Sequence, residues 1–215
     1  MLVSFSGLDC AGKSTQIDII KAYYEAKGYK VIMRWSRVGY TPVLEWSKNR
    51  IRSKKEKEQS SKPRTIGLDE KPRGGKLLMF LSIIDLAFYY GIHFRFLSKG
   101  RKTMLICDRY FWDSYIDLLL KYQGVPFYKT LAWKFAQWIY RKPDCSLVLT
   151  ITPEESMRRS SLKFEPFPET QERRELRLKL YMDLIKEGKW QYEVDCMRPI
   201  ETIAEEIKHV IDENI

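Results

Sequence analysis

The chain has 215 residues, 44% hydrophobic and 31% charged, which is enough to bury one good-sized core without a second domain. Its four cysteines (Cys10, Cys107, Cys145 and Cys196) are far apart with no C-x-x-C pair, which argues against a zinc site or a disulfide framework and for a reducing compartment. No signal peptide is visible, so the expected location is cytoplasmic, and the formal charge of +10 suits acidic partners, phosphorylated small molecules as well as nucleic acid.

The apolar run Met1–Phe5 reads as a buried strand, and Thr15–Lys27 reads as a helix. Between them lies Gly7-Leu8-Asp9-Cys10-Ala11-Gly12-Lys13-Ser14, a complete G-x-x-x-x-G-K-[ST] loop in the strand–loop–helix setting that the motif requires. Glycines let the backbone turn its N–H groups inward around phosphate oxygens, and the helix N-terminus adds partial positive charge. The spacing predicts a nucleoside triphosphate held by Gly7, Asp9, Cys10, Ala11, Gly12, Lys13, Ser14 and Thr15. Lys13 would reach the β- and γ-phosphates, and the Ser14 hydroxyl would ligate Mg²⁺.

Tyr29–Trp35 reads as the second strand, and Thr41-Pro42 as a helix start. Residues 48–76 form a strongly basic loop or loosely held helix with Gly74-Gly75 and two prolines. Leu77–Leu97 is apolar enough to raise a membrane question, but Asp85, His93 and Arg95 interrupt it, and a buried helix is the expectation. Thr103–Cys107 has the continuous apolar character of a central parallel strand, with Asp108-Arg109-Tyr110 at its C-terminal end. Helices are expected at Trp112–Tyr122 and Phe127–Tyr140, a strand at Cys145–Ile151, and an Arg- and Glu-rich helix from Pro153 to Gly188 with one break. A fifth strand, Trp190–Asp195, and a last helix from Pro199 complete the order. Strands alternating with helices imply an α/β fold: a five-stranded parallel sheet in a three-layer α/β/α sandwich. The aromatic stripe Phe88, Tyr89, Phe94 and Phe96 is expected in the core.

Taken together, Phe5–Asp9 with its phosphate loop, Arg37 after the second strand, Asp108-Arg109-Tyr110, and the tail from Pro153 through Val194-Asp195 to Ile200-Glu201 resemble the thymidylate kinase family of nucleoside monophosphate kinases. The resemblance implies ATP as phosphate donor, Mg²⁺, small-molecule nucleotides as partners and a homodimer, with neither membrane nor nucleic acid engaged. It implies that Asp9 bonds the 3′-hydroxyl of the acceptor sugar, although an Asp there also suits a turn that bonds its own amides. Arg37 and Arg109 would clamp the acceptor phosphate with their planar forks. Asp108 would bond a Mg²⁺-bound water or orient the clamp; pairing with Arg109 or a lysine is the alternative. A helical lid (residues 153–170) would bring Arg158, Arg159 or Lys163 to the transferring phosphoryl group, against the plainer reading of a solvated helix face. The loop containing Cys196 would touch adenine.

Three departures stand out. Cys10 occupies the loop position where some members of the family carry an arginine. Phe80 is available to stack the base, yet residue 84 is Ile and Asp85 stands where a basic reader is expected. The basic 48–76 segment is longer than the family leads one to expect. The expectation is therefore ATP- and Mg²⁺-dependent transfer to a nucleoside monophosphate, with thymidylate as the leading acceptor. A different phosphorylated or hydroxylated acceptor is the variant. The other class is a nucleotide-binding regulatory protein whose basic loop engages a polyanion.

Overall fold

The structure, a computed structural model, describes residues 1–36, 75–162 and 169–215. Arg37, Lys163, the Thr41-Pro42 helix start and most of the basic 48–76 segment lie outside the described residues.

In chain order the elements are β1 (Leu2–Gly7), α1 (Lys13–Ala26), β2 (Lys30–Trp35), α2 (Gly75–Phe88), a π-helical turn (Tyr89–His93), α3 (Phe94–Leu97) and β3 (Thr103–Asp108). There follow α4 (Phe111–Lys121), a 3₁₀ turn (Phe127–Lys129), α5 (Leu131–Ile139), β4 (Cys145–Thr150), α6 (Pro153–Ser161), α7 (Gln171–Lys186), β5 (Tyr192–Asp195) and α8 (Ile200–Asp212). The five strands form one all-parallel sheet ordered β2-β3-β1-β4-β5, flanked by helices. This is the three-layer α/β/α arrangement expected from the alternation of patterns.

The sheet feeds two cores because side chains alternate along each strand. Met104 and Ile106 of β3 join Ile17, Ile20 and Tyr24 of α1 and Ile203, Ile207 and Ile211 of α8 on one face. Leu105 and Cys107 point the other way, towards Ile83 and Leu86 of α2, Phe111 of α4 and Trp133 of α5. The helical spacing of those apolar residues is what turns each helix onto the sheet. Helix starts are chemically marked: Thr130, Thr152 and Thr170 each accept a backbone N–H of the first turn, and Pro153 follows Thr152.

Several expectations need correction. Lys76 belongs to α2, which begins at Gly75, so the basic segment ends sooner than expected. The 127–140 helix splits at Thr130 into a 3₁₀ turn and α5. Phe94 is buried, but Phe88 and Phe96 are 52% and 62% exposed, so the aromatic stripe is only partly core. The π turn bears on Phe96, which follows it: it adds a residue to the helix and re-aims the side chains beyond it, whereas Phe88 precedes it. Among the described residues, Gly75–Leu97 is the one helical stretch long and apolar enough to cross a membrane, and half of it is buried inside the fold.

Candidate active site

β1 is central, with β3 on one side and β4 on the other, and ligand crevices of such sheets open beyond the strand ends where the order reverses. Register brings Phe5 and Trp35 level with Asp108, and Gly7 level with Leu149. The phosphate loop therefore leaves the sheet beside Asp108-Arg109. A cleft of about 200 Å³ is walled there by Asp9, Cys10, Gly12, Lys13, Ser14, Thr15, Trp35, Asp108 and Arg109.

The loop's backbone is the unusual one that its glycines predict. Gly7 has φ 131, Gly12 φ 87, and the non-glycine Cys10 φ 61. A β-carbon on Gly7 would stand 2.1 Å from the Leu149 carbonyl oxygen, whereas one on Gly12 would meet nothing within 4 Å. Lys13 is buried, and its Nζ donates to the carbonyl oxygens of Gly7 (3.0 Å) and Leu8 (2.6 Å). Burial, then the charge of Arg109, lowers its pKa from the ordinary lysine value. An incoming polyanion would oppose both effects by favouring the charged form. Ser14 and Thr15 are exposed at the start of α1, while Ala11 is buried.

Arg109 is 2% exposed and has φ 71, a left-handed conformation rare for a side chain of this size. Its backbone N–H donates to Phe5 (2.8 Å), and its carbonyl accepts from the Ser36 hydroxyl (3.1 Å), which is itself bonded to the Tyr90 hydroxyl. Its guanidinium pairs with the Asp9 carboxylate, donates to the Tyr181 hydroxyl (3.1 Å), and lies 3.6 Å from Asp113 Oδ1. Burial opposes its charge, but Asp9, Tyr181 and Asp113 outweigh that and raise its pKa well above the ordinary value. Two of its five N–H groups are thus committed to hydrogen bonds.

Asp108 makes no ion pair with Arg109 or a lysine among the described residues. Its Oδ1 is buried and has no hydrogen-bond partner, and burial raises its pKa even though Lys13 and Arg109 pull the other way. An orphaned carboxylate oxygen in one cleft with the exposed Ser14 hydroxyl is a hard-oxygen donor set that fits Mg²⁺. No group of three or more His, Cys, Asp or Glu side chains suited to a metal occurs among the described residues, so waters and phosphate oxygens would supply the other ligands.

Not every expected residue joins the cleft. Arg158 and Arg159 both bond Glu155 (2.7 and 2.6 Å from their Nε), and Arg159 also donates to the Cys196 carbonyl (3.2 Å). Arg159 thus touches the Cys196 loop, and neither arginine nor Cys196 is among the residues that wall the cleft. Phe80 and Asp85 lie on α2, and neither walls the cleft. Trp35 does, and sequence reasoning passed it over because it ends an ordinary strand pattern.

Sequence reasoning also missed a buried polar hub. Asp113 accepts from Ser6 (2.5 Å), the Tyr110 N–H (2.8 Å) and Tyr181 (2.5 Å). On α7, Arg177 bonds Asp117 (2.7 Å) and Glu169 (2.6 and 2.9 Å) with no exposure at all. Arg174 donates to Ser156 Oγ (2.6 Å) and Ser160 Oγ (2.9 Å). The available signal was spacing: residues 174, 177 and 181 share one helix face. No family model matches the sequence, and no curated protein matches it either.

Proposed function

We propose that the protein is an ATP- and Mg²⁺-dependent phosphotransferase acting on a nucleoside monophosphate, with thymidylate as the leading acceptor. The observation that carries this reading is the convergence of Lys13, Ser14, Asp108 and Arg109 on one cleft beyond the central strand. In this reading the loop amides and Lys13 hold the donor's phosphates, with Lys13 exchanging two carbonyl partners for phosphate oxygens. Ser14 and Asp108 would hold Mg²⁺. Held there, Mg²⁺ would supply charge neutralisation to the phosphates. Arg109 presents its remaining N–H groups to the acceptor phosphate, and Asp9 both fixes that fork and faces the acceptor sugar. Phosphoryl transfer asks mainly for in-line placement and positive charge, and these residues supply both. Arg158, Arg159 or Lys163 would add lid charge after Glu155 releases its partners. Trp35 is better placed than Phe80 to stack the base, since it walls the cleft.

The test is ADP release from ATP with Mg²⁺ across thymidylate, deoxyuridylate, deoxycytidylate and deoxyguanylate. Turnover with thymidylate supports the reading. Preference for an amino-bearing base would replace thymidylate, and ATP binding without any turnover would favour the regulatory class.

A second copy of the chain is the proposed cover for an apolar face on packed helices α2 and α5, where Leu81, Phe88, Leu131 and Trp138 are exposed. A strictly monomeric mass at micromolar concentration would remove that part of the proposal.

A further inference from the structure

Asp9 is held at both ends, and both holds lead to α7. Its carboxylate pairs with Arg109, which donates to Tyr181 of α7. Its carbonyl oxygen accepts from the Ser156 hydroxyl of α6 (2.7 Å), and Ser156 Oγ in turn accepts from Arg174 of α7 (2.6 Å). Arg174 and Tyr181 are two helical turns apart on the same face. Ser156 is fully buried and Arg174 is 1% exposed, so water does not substitute for either partner.

The direction of these bonds matters. A guanidinium only donates, so Arg174 can engage nothing but a lone pair of the Ser156 hydroxyl. That leaves the single hydroxyl hydrogen to point at Asp9. Arg174 is itself fixed by the Ser156 carbonyl (3.3 Å), the Glu169 carbonyl (3.3 Å) and Ser160 Oγ (2.9 Å), so its fork does not rotate away. The Asp9 carbonyl thus has a preset donor, at the residue just before left-handed Cys10.

We propose that Ser156 and Arg174 are positioning residues for the phosphate loop: Arg174 orients the Ser156 hydroxyl, and that hydroxyl pins the Asp9 backbone so that the loop is preorganised before any ligand arrives. Holding the loop in advance removes an ordering cost from phosphate binding. The inference rests on the loop geometry alone for its structural half and on the proposed nucleotide reading for its binding half.

Ser156→Ala deletes the hydroxyl while Arg174 keeps its carbonyl and Ser160 partners. In the nucleotide-free protein, amide hydrogen exchange across residues 8–12 should rise by about two- to tenfold, the population shift expected from losing one hydrogen bond, while exchange in β1 and β3 stays unchanged. Calorimetry with ATP and Mg²⁺ should show weaker affinity by a similar factor. Arg174→Lys, which keeps the charge and loses the fork, should give the same local pattern.

Unchanged loop exchange in Ser156→Ala overturns the pin, whether or not the protein binds ATP. Exchange raised throughout the fold also overturns it, since that marks general loosening. Raised local exchange with unchanged ATP affinity overturns the role in binding. Raised local exchange in a protein whose wild type binds no ATP leaves the pin standing and sinks the nucleotide reading.

Discussion

Two pairs of arginines on consecutive helices have opposite fates. Arg158 and Arg159 of α6 share the carboxylate of Glu155 at the surface, in one-turn pairs of their own helix. Arg174 and Arg177 of α7 are buried and tie α7 to α6, to α4 and, through Ser156, to the phosphate loop. A surface pair is screened and its geometry is loosely held, whereas a buried guanidinium must be fully partnered or it destabilises the fold. Proximity to an expected lid is therefore a poorer guide to influence on this site than burial.

That contrast is open to attack in order of expected effect. Arg177→Ala removes the buried guanidinium shared by Glu169 and Asp117 and leaves a buried gap, which should cost about 3–5 kcal/mol and lower Tm on the order of 10 °C. Thermal unfolding within 2 °C of wild type, about the shift of a minor surface change, would erase the distinction between the helices. Arg109→Ala should lower kcat/KM for the acceptor by about two to three decades, the value of roughly 2–4 kcal/mol of charged contact, with less effect on ATP binding. Unchanged acceptor kinetics would demote Arg109 to a structural ion pair.

Asp108→Asn should separate activity from stability. Burial raises the folded-state pKa of Asp108, so this carboxyl favours the fold at acid pH and that advantage is lost as pH rises through the raised value. At pH 7 the neutral amide should raise Tm by about 2–4 °C, an increment on the order of 1 kcal/mol, while Mg²⁺-dependent turnover falls. A lower Tm would mean that the charge is already compensated. The smallest effect belongs to Arg158→Ala, with Tm unchanged within about 1 °C. The local pairing has its own signature: its two arginine partners pull the Glu155 carboxyl down to about 2. Its contribution is thus present above the ordinary carboxylate range and lost only as pH falls through that value, which a carboxyl NMR titration reads directly. A normal Glu155 titration would dissolve the pair.

The strands, their parallel order and the phosphate loop were legible because each rests on local pattern: continuous apolar runs, helical spacing, and glycines before Lys13-Ser14. Asp108 and Arg109 were legible as a strand-end pair, and they do wall the cleft. What escaped depends on contacts distant in sequence. Nothing near Asp113 announces that Ser6 and Tyr181 will converge on it, and Arg174 looks like any other charge on an Arg-rich helix until Ser156 is placed beside it. Phe96 was misplaced because a π turn ahead of it shifts helix phase with no composition signal. Trp35 was overlooked because its role comes from strand register against Asp108, which no periodicity reveals.

The two outer glycines of the phosphate loop are there for different reasons, and their tolerance to replacement should differ accordingly. Gly7 is closed by space: the Leu149 carbonyl occupies the place of any side chain, so no residue with a β-carbon fits unless β4 moves. Gly12 is closed by torsion only, with open surroundings and φ 87. Asparagine, which visits left-handed backbone readily, should disturb the fold less at 12 than at 7, although Gly12 walls the cleft and a side chain there would enter it. One motif written with two identical letters thus holds its two glycines for two different physical reasons.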